Sequence, residues 1–146
     1  MLYASLGSFG DSIKLLNVIG NRAGGSPEPG LVLWAYPEAT ASAIGDWSLL
    51  SAHKESLEPV TSYENGFVAR RTDRLPLDLE LLESLQEHEA AMVAQIDSVC
   101  LYPAGAPSWV AAAIGHEAMG LVRDPAWLGE LRAAGLSASE RAPSWW

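Results

Sequence analysis

The sequence predicts an α+β fold: an antiparallel or mixed sheet with two or three helices packed on one face, a two-layer sandwich. Three observations predict it. Short runs rich in apolar residues recur between Gly and Pro breaks, at Leu2–Leu6, Leu31–Tyr36 and Ser98–Tyr102. A helical periodicity fills Asp78 to Ile96, with Leu81, Leu82, Leu85, Met92, Val93 and Ile96 clustering on one side. A second helix start stands at Asp124-Pro125, and Gly135 closes that helix. A chain of 146 residues, 49% hydrophobic, is one ordinary domain with its own core, spanning 1–146.

The elements follow in order. Leu2 to Leu6 alternates apolar and small residues and reads as a strand. Asp11 or Ser12 can cap a helix through Asn17, Val18 and Ile19, with Ile13, Leu16 and Gly20 on one face. Gly20 to Gly30 reads as a loop, because it holds Gly24-Gly25 and Pro27-Glu28-Pro29. Leu31 to Tyr36 is apolar throughout and predicts a buried strand, and Asp46 to Ser51 reads as another. Glu64-Asn65-Gly66-Phe67 is a turn whose flanks can pair as a hairpin.

Asp78 caps the Asp78–Ile96 helix, where the helix dipole also favours a carboxylate. Glu89 lies near the centre of its apolar face. Either the helix breaks there or Glu89 is buried with a partner, because an unpaired buried carboxylate costs several kcal/mol. Ser98 to Tyr102 is a strand ending at Pro103. Ala106 to Val122 fits two readings. One is a helix capped by Ser108 and interrupted by Gly115 and Gly120, and the other is two short strands. The Asp124 helix carries Trp127, Leu128 and Leu131, and Leu136 to Arg141 is a last strand.

Charge is the strongest functional signal. The chain carries 18 acidic and 9 basic residues, a net −9. Asp73, Asp78, Glu80, Glu83, Glu87, Glu89 and Asp97 fall close together, offset only by Arg74. Glu80, Glu83 and Glu87 lie within about 60° of each other on the helix, opposite the apolar face. Such a charge disfavours nucleic acid and anionic membranes. It favours solubility or a basic partner. The single Cys100 cannot form an internal disulfide, which fits a reducing compartment. The first residues carry no basic n-region, and no apolar run reaches the roughly 20 residues of a membrane span, so a cytoplasmic location is expected.

Candidate chemistry is sparse. Phe9-Gly10-Asp11-Ser12-Ile13 resembles the nucleophile block of the GDSL-type serine hydrolases. That resemblance implies an ester-attacking Ser12 activated by an aspartate–histidine pair. The sequence has no Asp-x-x-His: Leu50, Leu85 and Ala113 stand three residues before His53, His88 and His116. A capping role for Asp11 or Ser12 explains the same residues. His88-Glu89 and His116-Glu117 lack the second histidine four residues on that a zinc motif needs, Met92 and Gly120 standing there instead. No metal, cofactor or catalytic residue is therefore expected. Gly24-Gly25 lacks the Lys-Ser/Thr of a phosphate loop, and Arg70, Arg71 and Arg74 read as local compensation beside the acidic helix.

Six tryptophans complete the pattern. Trp34 and Trp47 read as core, and Trp127 as the apolar side of its helix. Trp145 and Trp146 close the sequence, and two such rings pack either onto the domain or onto a partner.

Several scattered pieces together resemble a small bacterial family of uncharacterised domains. They are Gly10-Asp11, Leu15 to Gly20, Trp47-Ser48-Leu49-Leu50-Ser51, Leu79 to Leu85, and Leu131 to Leu136. The Gly24 to Ala43 insert and the Trp-Trp close depart from that pattern. The resemblance implies a two-layer α+β sandwich without known catalytic residues, and some such domains look like immunity proteins that neutralise a toxin. The expected role is thus an acidic, immunity-type inhibitor that occludes a basic partner protein, a toxin being the specific case. Asp73, Glu80, Glu83, Glu87, Trp145 and Trp146 are the expected contact residues. The alternatives are a small serine hydrolase using Ser12 and a structural subunit that homo-oligomerises through its tryptophans.

Overall fold

A computed structural model describes residues 1–22, 28–39, 48–50, 54–60 and 70–145. The strands are β1 (Leu2–Ser5), β2 (Gly30–Ala35), β3 (Leu75–Pro76), β4 (Ile96–Tyr102), β5 (Ala111–Ile114), β6 (Met119–Val122) and β7 (Ser137–Ser139). The helices are α1 (Phe9–Arg22), α2 (Leu79–Glu87), α3 (Glu89–Gln95) and α4 (Leu128–Ala133), the last preceded by a 3-10 turn, Pro125–Trp127. The strands form one antiparallel sheet in the order β3-β2-β4-β5-β6-β1-β7. The fold is therefore the α+β arrangement that the sequence predicts, and residues 106–122 supply two strands rather than a helix.

Period-two alternation sorts the side chains. Leu2, Ala4, Leu31, Leu33, Val99, Leu101, Ala111, Ala113 and Val122 face the helices. Val32, Trp34, Cys100, Tyr102, Ala112, Ile114 and Leu121 face the other way, under Leu57, Val60 and Trp109. The four described α-helices lie on the first face, because each has one apolar side to bury. Alanines on β5 and Gly120 on β6 let α1 sit close. A Cβ at Gly120 would lie 2.8 Å from Leu15 Cδ2 and 3.3 Å from Ala4 Cβ.

Local signals set the helix ends. Ser8, not Asp11 or Ser12, caps α1: its Oγ accepts from the Asp11 N–H at 3.2 Å, and Asp11 Oδ2 accepts from the Gly7 N–H at 3.0 Å. The helix starts one turn earlier than expected because this reciprocal pairing satisfies its first donors. It also runs to Arg22, so Gly20 is helical and not the start of a loop. The helix passes close to Leu77 there: a Cβ at Gly20 would meet Leu77 Cδ2 at 2.0 Å, so that side chain would have to shift. Asp78 caps α2 by accepting from the Leu81 N–H at 2.8 Å. Asp124 accepts from the Ala126 N–H at 2.9 Å. Gly135, with φ 83°, ends α4, and the Leu136 N–H donates to the Leu131 carbonyl at 3.0 Å.

Two expectations need correction. Asp78–Ile96 is two helices, broken at His88, and Ile96 opens β4. Glu89 stands at that break as the first residue of α3, exposed and favoured by the dipole. The break shifts the phase, so Met92 is buried while Val93 turns outward at 59% exposure. Of the expected Asp46–Ser51 strand, Asp46, Trp47 and Ser51 lie outside the described residues, and Leu50 makes an antiparallel bridge with Arg71. The Arg cluster does not compensate the acidic helix. Arg74 pairs with Glu55 and donates to the Pro103 carbonyl at 2.7 Å. Arg71 is buried over Trp34, donating to the Thr72 and Glu55 carbonyls at 2.9 and 2.7 Å. Arg70 donates to the Pro37 and Ala39 carbonyls. The bonds of Arg71 and Arg74 tie the segment around Glu55 to the second face, because each guanidinium spans several acceptors at once. The Glu64–Phe67 turn, Trp47 and Trp146 lie outside the described residues.

Candidate partner-binding surface

Helix α2 presents an acidic face. Glu80, Glu83 and Glu87 are all exposed, on successive turns of α2. Leu81, Leu82 and Leu85 commit the opposite side to the core. Among the described residues, no ion pair or hydrogen bond engages any of the three carboxylates. No Lys or Arg occurs between Arg74 and Arg123, so the sequence offers no local counter-ion. Like charges three and four residues apart on a helix repel by a few tenths of a kcal/mol per pair. A cation docked on this face would relieve that repulsion. Leu79, at 70% exposure, borders the stripe, and the exposed Val93 lies on the next helix. Acidic groups beside exposed aliphatics can both steer a basic protein and hold it.

Asp73 and Trp145 do not join this face. Asp73 is exposed but belongs to the Arg71–Arg74–Glu55 group, where its charge bears on both Glu55 and Arg71. The Arg74 guanidinium holds Glu55 below the ordinary carboxyl value. Such a pair stabilises the fold above the unfolded value and loses that as pH falls through the folded value; its exposure keeps the gain small. Trp145 lies beyond β7, on the face of the sheet away from the helices, and is 63% exposed. It lines a groove of about 260 Å³ with Tyr3, Ser5, Ser137, Ser139 and Arg141. The sequence grouped Trp145 with the stripe because both are interface-forming types; the sheet separates them.

The fold also assembles a pair that the sequence did not suggest. β4 bulges where the register passes from Trp34↔Ser98 to Ala35↔Ile96, which leaves Asp97 as the extra residue. Asp97 is fully buried, and its Oδ1 lies 3.2 Å from His116 Nδ1. His116 Nε2 faces Glu117 Oε1 at 3.5 Å, and the Tyr36 ring meets the imidazole edge-on at 6.0 Å. The carboxylates flank opposite nitrogens of the ring, so they do not converge on a common point. Among the described residues, no group of three His, Cys, Asp or Glu is placed to hold a metal ion. Eighteen residues separate Asp97 from His116 in the chain, and only β4–β5 pairing joins them.

Ser12 approaches this pair without completing it. It lines a small cavity with Asp97 and Gly115, but is only 5% exposed within α1. His116 Nε2 points at Glu117 rather than at Ser12. A serine without a positioned base stays protonated and nucleophilically weak near neutral pH. Fluorophosphonate labelling and turnover of short nitrophenyl esters are accordingly expected to be absent. Labelling that vanishes in Ser12→Ala would overturn this.

Cys100 is fully buried, and burial pushes its thiol up to about 12. Iodoacetamide at pH 8 should leave the folded protein unmodified and alkylate it fully in denaturant, as read by intact mass. Native alkylation within minutes would show that the second face opens readily. No helix among the described residues is long and apolar enough to cross a membrane. No family model, curated protein or solved structure matches this chain.

Proposed function

We propose that this chain is an acidic binding protein that occludes a basic partner protein, acting as an immunity-type inhibitor in the cytoplasm. The observation that carries the reading is the Glu80–Glu83–Glu87 array, unpaired among the described residues, exposed on α2 and bordered by Leu79. A net charge of −9 extends its field beyond contact distance. The exposed aliphatics supply the desolvated contact that charge alone does not give. Single-sign charge without a counter-ion discriminates by sign, so the partner presents Lys or Arg to this face.

Affinity capture from the native host, run side by side with wild type and with a Glu80→Gln, Glu83→Gln, Glu87→Gln variant, tests it. A basic protein retained by wild type and lost from the variant is the expected result. The same proteins retained by both, or no basic protein retained by wild type, would contradict the reading.

A further inference from the structure

The groove beside β7 differs in chemistry from the rest of this acidic surface. Tyr3 and Ser5 on β1 pair across the strands with Ser139 and Ser137 on β7, so four side chains line one face together. Trp145 walls the groove, and Arg141 stands at its rim. No carboxylate among the described residues lines it, in a chain with twice as many acids as bases. The Arg141 backbone N–H donates to Ser139 Oγ at 3.0 Å, but among the described residues nothing engages its guanidinium. Serine hydroxyls and a guanidinium donate hydrogen bonds, and exposed aromatic faces stack on planar rings.

We propose that this groove binds a small planar ring that carries an anionic group, the ring against Trp145 and the anion on Arg141 and the serine hydroxyls. The volume of about 260 Å³ fits a ligand of that size and not a folded partner. An added β-strand is the competing occupant, because β7 is a sheet edge. The Arg132 guanidinium already occupies the Ala138 carbonyl, through bonds of 3.1 and 3.0 Å, and so blunts that edge. The site is independent of the acidic helix and does not rest on the inhibitor reading.

Two sources share this chemistry, a nucleotide and an aromatic carboxylic acid. The test is a titration of the full, isotopically labelled chain, followed by backbone amide shifts, with adenosine monophosphate and with 2-naphthoate. Adenosine and 2-naphthol serve as their uncharged counterparts. At least one anion should shift the Tyr3, Ser139 and Arg141 amides and bind roughly tenfold more tightly than its neutral counterpart, the effect of one charge-assisted pair. The anion that binds more tightly identifies the source. Arg141→Gln should abolish the preference for the anion, and Trp145→Ala should weaken the anion and its counterpart alike. Both positions are exposed, so unchanged amide signals from α1 and α2 would verify folding. Absence of shifts at about 5 mM, equal binding of neutral and anionic probes, or an unchanged preference in Arg141→Gln would overturn the proposal.

Discussion

Leu15→Ala is expected to lower the unfolding free energy by about 2–5 kcal/mol. Leu15 is fully buried on α1 and packs over Gly120, where β6 offers no side chain. Truncation removes transfer energy and leaves a cavity that glycine cannot fill, so the loss should fall in the upper half of that range. A domain of ordinary stability has only about 5–15 kcal/mol in total. Urea unfolding followed by tryptophan fluorescence measures the loss. The pairing with Gly120 makes a second, sharper test. Gly120→Ala alone should destabilise, because its methyl would press on Leu15 Cδ2 and on Ala4. In the double variant that methyl occupies the vacated space, so the two losses should add to less than their sum. Strict additivity, or a loss below about 1 kcal/mol for Leu15→Ala, would mean that α1 is not seated on β6 as described.

Signals confined to one element were legible in the sequence. β2 and β4 announce themselves as apolar runs before Pro37 and Pro103. Asp78, Asp124-Pro125 and Gly135 mark helix ends by the chemistry of orphan backbone groups. Glu89 flagged the break at His88, because a carboxylate on an apolar face contradicts a straight helix. What escaped depends on tertiary context. The Ser8 cap was hidden because Asp11 and Ser12 are equally good capping types. Gly20 looks like a helix stop and is instead a point of close approach to Leu77. Arg71 and Arg74 look like a surface cluster, yet both reach Glu55, and Arg74 also reaches the turn after β4.

The candidate sites divide the same way. The stripe on α2 was visible because it is a single-helix pattern. The Asp97–His116 contact was invisible because a bulge and a strand pairing create it. The groove was half visible: Trp145 stood out, but Tyr3, Ser5 and Arg141 join it only once β7 has paired with β1.

The central claim is that Glu80, Glu83 and Glu87 steer a basic partner. Its most direct test is the association rate of the captured partner across a salt series, for wild type and the triple Gln variant. The melting temperature should stay within about 2 °C, because exposed helix charges contribute only tenths of a kcal/mol each. Association at low salt should slow by about tenfold, and the salt dependence should flatten, because steering acts on encounter and is screened within a Debye length. Rates and a salt slope identical to wild type would reduce the stripe to a solvated face and contradict the account.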